Sequence, residues 1–378
     1  MRYKLSDLFE LQMGKTPSRN NPNYWDSNDY SWVSISDMSS YDKYVSGTKE
    51  YISEQAVKES GIKTIPANTV IMSFKLSIGK TAITTGPIFS NEAIMAFIDK
   101  KTTTIDPEYI FYLFSGKNWD EGSNKAVMGK TLNKATLSNI EVDIPSLDIQ
   151  KERIEKLNKI SILIADKKQQ LNQLDELIKA RFVEMFGNDK YKTRTIKDVL
   201  CESFWLMPAT PKYIEKGIPY ITSKNIKNRI LDLNDTKYIS EDDYLRISKN
   251  RPVKPGDILV SMIGTLGQTA VVPKDKRFYG QNVYLLRLNG DIVNTPFFCE
   301  FFNSDDVQYK LTGKSNQSTQ AYLKANHVEE LSIPIPPIAI QNEFANLVAQ
   351  VDKSKFAVQK SLEKTQQLFD SLMQEYFG

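Results

Sequence analysis

Four tripeptides in this chain of 378 residues could close a phosphate-binding loop: Gly14-Lys15-Thr16, Gly79-Lys80-Thr81, Gly129-Lys130-Thr131 and Gly313-Lys314-Ser315. Such a loop folds backbone amides around phosphate oxygens and needs another glycine five positions before the one that precedes its lysine. Those places hold Phe9, Phe74, Asn124 and Gln308, so none of the four qualifies. Asn21-Pro22-Asn23-Tyr24 approximates an Asn-Pro-Pro-Tyr tetrad that grips an amine during methyl transfer. Its third residue differs and no glycine-rich cofactor motif precedes it, so a turn is expected there. The one histidine, His327, leads into an apolar strand and is expected to be structural. Two cysteines, Cys201 and Cys299, make neither a zinc site nor a disulfide framework. No HExxH, GxSxG or paired CxxC motif occurs, nor a nuclease-like carboxylate–lysine cluster. The expectation is a chain without catalysis, metal or cofactor of its own.

Composition is that of an ordinary globular protein, with 25% charged and 40% hydrophobic residues. No apolar leader or membrane-length run is visible, and two unpaired cysteines suit a reducing compartment, so a cytoplasmic location away from membranes is expected. The net charge of +3 is too small to mark a polycation. If the protein holds nucleic acid, placed residues or a partner must supply the affinity.

The elements that would position any site are used twice. Asp143-Ile144-Pro145 runs through Gln150 to Phe186-Gly187, and Ile333-Pro334-Ile335-Pro336 runs through Gln341 to Phe377-Gly378. The offsets 336 − 145, 341 − 150, 377 − 186 and 378 − 187 are all 191, which marks an internal duplication. It continues upstream with looser spacing. Trp32-Val33-Ser34 answers to Tyr220-Ile221-Thr222, and Thr69–Ser73 with Gly79-x-Thr81-Ala82 answers to Asp257–Ser261 with Gly267-x-Thr269-Ala270. Asn91-Glu92 corresponds to Gln281-Asn282.

Residues 1–145 and 188–336 read as short β-branched and aromatic strands, including Thr69–Phe74, Ala93–Ile98, Ile258–Met262 and Val283–Leu288. Capped or proline-entered helices are expected at Ser53–Ser60, Pro107–Phe114, Ser240–Ile247 and Pro296–Phe302. Residues 146–187 and 337–378 carry apolar residues in alternating steps of three and four. The first seam is Leu157, Ile160, Ile164, Lys167, Leu171, Leu174, Ile178, Arg181 and Met185. The second is Phe344, Leu347, Val351, Ser354, Val358, Leu362, Thr365, Phe369 and Leu372. That rhythm is a coiled-coil seam, and the simplest partner for each helix is its twin. The expected architecture is α+β: two pseudo-repeated α+β domains separated by two long antiparallel helices forming an intramolecular coiled coil.

The whole chain resembles the specificity (S) subunit of type I restriction–modification systems. Ile144-Pro145-x4-Gln150, Ile335-Pro336-x4-Gln341, Gln281-Asn282-Val283 and the two Phe-Gly ends carry the likeness. It implies target-recognition domains at 1–145 and 188–336, with spacer helices at 146–187 and 337–378. Each domain would read one half of a bipartite target in double-stranded DNA, and the helices would set the spacing. Two methyltransferase subunits would dock and methylate adenine at N6 with S-adenosylmethionine. ATP-driven restriction subunits would complete the nuclease.

Base-reading residues are expected on polar and basic loops. In the first domain these are Lys15, Ser18, Arg19, Asn20, Ser36, Ser39, Lys75, Ser77, Lys80, Lys125, Lys130 and Asn133. In the second they are Lys212, Lys224, Asn225, Lys227, Arg229, Thr265, Gln268, Lys314, Asn316, Gln317, Thr319 and Gln320. Trp25, Trp32, Trp119 and Trp205 are expected in the cores. Two rival readings are a protein-binding tether without DNA specificity, and a cryptic methyltransferase or nuclease fusion.

Overall fold

A computed structural model describes residues 1–75, 77–119, 132–187, 190–209, 211–227, 229–313 and 322–378. The chain forms two compact units: Met1–Lys168 with Lys360–Gly378, and Gln169–Gln359.

The first unit is built on a four-stranded antiparallel sheet in the order Phe9–Met13, Ile94–Asp99, Val70–Ser73, Thr81–Ile83. Its central strands are apolar on both faces because both faces are covered. Val70, Met72, Met95 and Phe97 pack beneath helix Pro107–Gly116, while Ile71, Ile94 and Ala96 form a separate cluster on the opposite side. A smaller sheet joins Glu50–Ile52, Tyr30–Val33 and Phe89–Ser90, the last pair running parallel. Arg2–Lys4 pairs with Glu141–Asp143, and the Met1 ammonium donates to the Ile144 carbonyl at 2.9 Å.

The second unit repeats this plan. Its large sheet is ordered Leu200–Leu206, Val283–Leu288, Ile258–Ser261, Thr269–Val271. Ile258, Val260, Tyr284 and Leu286 face the helices, and Leu259, Val283 and Leu285 face away. The parallel pair recurs with Tyr220 opposite Tyr279 and Ile221 opposite Gly280, as Trp32 lies opposite Phe89 and Val33 opposite Ser90. The expected strands and helices are present with ends shifted by a residue or two. Among the elements not expected are the edge strands Phe9–Met13 and Leu200–Leu206, and helix Asp305–Gly313.

The long helices run Leu147–Phe186 and Ile338–Phe377. Within each unit the helix segments are antiparallel. Arg153 donates to the Tyr376 carbonyl at 3.2 Å in the first unit. In the second, Lys355 meets Asp175 at 2.6 Å and Phe344 meets Phe186 at a centroid distance of 5.4 Å. Leu157, Ile160, Ile164, Ile178, Phe344 and Val351 are buried as the heptad reading requires. Arg181 and Ser354 are exposed instead, and Phe182 and Lys355 turn inward. A straight helix of 3.6 residues per turn drifts about 20° per heptad from a 3.5 repeat, so a fixed seam slips off the contact line.

The repeated glutamine has a clear physical role. Gln150 is fully buried; its Oε1 accepts from the Asp106 amide at 2.9 Å, and Nε2 donates to the carbonyls of Thr104 and Pro145 at 3.1 and 3.0 Å. Gln341, also fully buried, accepts from the Asn294 amide at 3.0 Å and donates to Ile292 and Pro336 at 2.9 and 2.8 Å. Asp106 and Asn294 are the N-caps of Pro107–Gly116 and Thr295–Phe302, so each glutamine ties the start of a long helix to the start of a short one. The repeated phenylalanine finishes the joint. Phe377 packs on Tyr109 at 5.3 Å, and Phe186 packs on Phe297 at 4.7 Å, both targets standing third in their short helices.

Candidate nucleic-acid interface

The candidate loops of the first unit meet at the turn Asn91–Ala93. The Gly14 and Lys15 amides donate to Ile94 and Ser90 carbonyls at 3.1 and 2.8 Å, the Asn91 amide to Val33 at 3.0 Å, and the Phe74 amide to Ala93 at 3.0 Å. Asn91 Nδ2 donates to Thr16 Oγ1 at 3.1 Å, and that hydroxyl donates to Glu92. Segments 14–20, 34–39 and the described residues of 74–80 on either side of position 76 are thereby anchored to one turn. The Leu132 amide, bonded to the Phe74 carbonyl at 3.2 Å, brings Asn133 alongside.

The second unit builds the same junction at Gln281–Val283. Gln281 donates to Ile221 at 3.0 Å, Asn282 to Leu206 at 2.9 Å, and Ser223 Oγ to the Asn282 carbonyl at 2.8 Å. Leu323 donates to the Met262 carbonyl at 2.8 Å, the counterpart of Leu132 on Phe74. Asn282 adopts a left-handed backbone with φ of 59°, a conformation that asparagine tolerates better than most residues.

Two short capped turns flank these junctions. Ser34 and Asp37 form a reciprocal capping box, and Thr222 and Asn225 form its equivalent. Ser36 and Ser39 are exposed on the first, and Lys224 is exposed on the second. Asn225 is buried; its Nδ2 also donates to Asp232 and Asp235 carbonyls at 3.1 and 2.9 Å. Asn133 caps helix Lys134–Ser138 by accepting from the Thr136 amide at 2.8 Å.

Lys15, Ser18, Arg19, Asn20, Ser77, Lys80, Lys212, Lys227 and Thr265 are exposed; Lys75 and Gln268 are half-buried. Arg19 stacks on Trp25 with its guanidinium carbon 3.7 Å from the ring centre and forks onto Glu50, whose hydrogen bond holds the Arg19 pKa above its ordinary value. Arg229 is paired with a nearly buried carboxylate. It donates a fork of hydrogen bonds to Glu300 of helix Thr295–Phe302; burial pulls its pKa down most strongly, but that hydrogen bonding and the attraction of the carboxylate together leave it raised above the ordinary value. Lys125, Lys130, Lys314, Asn316, Gln317, Thr319 and Gln320 lie outside the described residues. Trp32 and Trp119 are buried, whereas Trp25 and Trp205 are partly exposed. His327 caps its own short helix, Nδ1 accepting from the Lys324 amide at 3.4 Å. Among the described residues no helix is long and apolar enough to cross a membrane.

The junction residues Asn91, Glu92 and Gln281 were not among the sequence candidates. The signals for them are their matching place in the repeat and, for Gln281, its place in a stretch that carries the family likeness.

The duplication has a direct counterpart among known proteins. A family model described as the type I restriction modification DNA specificity domain matches residues 1–176 and again residues 188–368. The chain belongs to that family. The MjaIX specificity subunit of Methanocaldococcus jannaschii is 26% identical over 98% of this chain and 90% of its own length. The EcoprrI specificity subunit of Escherichia coli is 27% identical over 43% of this chain and 42% of its own. Two solved chains share the fold. One, from a structure on complex assembly and conformational transition of the type I R-M system, has a TM-score of 0.62 at 15% identity, covering 100% of this chain and 97% of that one. The other, the S subunit from M. genitalium, has a TM-score of 0.58 at 13% identity, covering 100% and 96%. The two family matches fall on the two halves of the repeat, each carrying one junction. This member of the specificity family is a DNA-recognition subunit of a type I restriction–modification system, and its part in that system is recognition, not catalysis.

Proposed function

We propose that each junction reads one half of a bipartite DNA target and that the long helices set the gap between halves. The observation that carries this is the repetition of one backbone scaffold with different polar side chains displayed on it. Ser36 occupies the place of Lys224, and Asn91-Glu92 the place of Gln281-Asn282. Base-edge readers differ between half-sites, while the frame that presents them need not.

The long helices dock two methyltransferase subunits, which act on adenine N6 and hold S-adenosylmethionine. Restriction subunits holding ATP complete the assembly. A methyltransferase must swing its base out of the duplex, and that chemistry reads little of the surrounding sequence. A separate reader supplies it. The candidate contacts are the exposed loop residues named above, with the lysines gripping phosphates and the amides and hydroxyls meeting base edges.

Mapping methylated adenines in DNA from cells that express this chain with its methyltransferase tests the reading. A bipartite motif with a fixed gap is expected. Inserting seven residues at matching heights in both long helices adds about 10 Å, or about three base pairs at 3.4 Å each. The gap should widen accordingly while both half-sites stay unchanged. A continuous motif, or a gap indifferent to the insertion, refutes the proposal.

A further inference from the structure

One loop in each unit is suspended from a buried serine in the same way. Ser73 and Ser261 are fully buried at the ends of central strands. Ser73 Oγ donates to the Ser77 carbonyl and accepts from the Lys80 amide at 3.2 Å. Ser261 Oγ donates to the Thr265 carbonyl at 2.5 Å and accepts from the Gln268 amide at 2.9 Å. The backbone closes identically: Gly79 donates to the Ser73 carbonyl and Gly267 to Ser261, both at 2.9 Å. Those glycines have φ of 88° and 72°, and a Cβ on either would lie 2.8 Å from its neighbour, Trp119 or Gln308.

The side chains that this frame carries do not match. At the offset of 188 (263 − 75, 265 − 77, 268 − 80), Lys75 becomes Ile263, Ser77 becomes Thr265 and Lys80 becomes Gln268. Both loops adjoin the junctions already described, through Phe74 on Ala93 in one unit. In the other, Ile263 bridges to Tyr322 beside the Leu323–Met262 bond.

We infer that Ser73 and Ser261 are positioning residues that hold a common loop frame, and that positions 75, 77 and 80 and positions 263, 265 and 268 are specificity-determining. This rests on the bipartite reading above and deepens it. The first loop offers two cations, suited to phosphates and to the O6/N7 edge of guanine. The second offers an amide, a hydroxyl and a branched apolar group, suited to adenine and to the thymine methyl. Because the frames superpose in their hydrogen bonds, the readers are exchangeable between them.

The test uses the full chain assembled with its methyltransferase subunits and the target found by methylation mapping. Binding is measured against salt and against duplexes altered one base at a time. In the triple variant Lys75→Ile, Ser77→Thr, Lys80→Gln, base preference changes in one half-site only. The slope of log affinity against log salt falls by up to about 1.8, roughly 0.9 for each phosphate contact removed. Ser73→Ala lowers discrimination in that same half-site by about tenfold, the scale of one or two lost hydrogen bonds. Ser261→Ala does so in the other half-site. Discrimination is the ratio of affinities for matched and altered duplexes, and it separates positioning from loss of stability in that unit, which would lower both affinities by the same factor. If the wild-type complex shows no bipartite preference, the underlying reading fails. If it does, and the triple variant keeps the same preference and salt slope, the loop inference alone is overturned.

Discussion

Replacing Gln341 by alanine should cost this protein more than almost any other polar substitution. The side chain is fully buried and makes three hydrogen bonds, at 3.0, 2.9 and 2.8 Å, to main-chain groups of Asn294, Ile292 and Pro336. A net hydrogen bond contributes about 1 kcal/mol, and a buried group left without a partner costs about 1–3 kcal/mol. Water entering the vacated space would re-satisfy some of the three, which places the loss at about 3–5 kcal/mol. Gln341→Glu should be no milder, because its second oxygen would face two carbonyls where Nε2 now donates. Gln150→Ala removes the same three bonds from the first unit, so its cost should agree within about 1 kcal/mol. The two positions lie in different units, and their effects should add. Urea unfolding monitored by circular dichroism and tryptophan fluorescence measures all of this. A loss below about 1 kcal/mol for either alanine variant would refute the account of the repeated glutamine as the joint between long and short helices.

Further tests follow from other contacts. Glu300 is almost fully buried beneath Arg229, so Arg229→Met should cost about 3 kcal/mol by stranding the carboxylate; a double-mutant cycle with Glu300→Gln would expose the coupling. Gly79→Ala and Gly267→Ala should each lose about 1–3 kcal/mol in thermal unfolding, whereas Gly86→Ala, in open space, should be near neutral. Glu108 is bonded by Lys43, Tyr44 and Asn158; burial opposes its ionisation, but these donors together hold its pKa below the ordinary 4.5. A lowered folded-state pKa gives stability that is present above about 4.5 and is lost as pH falls through the folded value. Glu108→Gln should flatten that part of the acid-unfolding curve and leave the neutral range unaltered in slope.

The sequence displayed the repeat and most central elements because burial writes itself as pattern. Strand Val70–Ser73 is apolar on both faces, and helix Pro107–Gly116 opens with an aspartate cap and a proline. The edge strand Leu200–Leu206 escaped notice because its residues alternate irregularly, with a register shift between Leu200 and Glu202. A strict seven-residue count puts Arg181 in the seam, whereas the natural helical pitch turns Phe182 there instead. Polar side chains were the hardest to read. Asn225 and Lys224 are neighbours of similar solubility, yet one is buried, holding three backbone groups, and the other is exposed. An amide that caps a turn and an amide that could meet a base have the same letter. Only the fold around them tells which partner is within reach. The serines Ser73 and Ser261 were likewise visible as repeated letters, but not as the pegs from which their loops hang.

The unequal division of the chain has a consequence for how the molecule is born. The second unit is one uninterrupted stretch, Gln169–Gln359, and can close as soon as that stretch has left the ribosome. The first unit, though its strands emerge earliest, lacks Phe369, Leu372 and Phe377 from its core until Lys360–Gly378 has been translated. The domain made first is therefore the last to be finished.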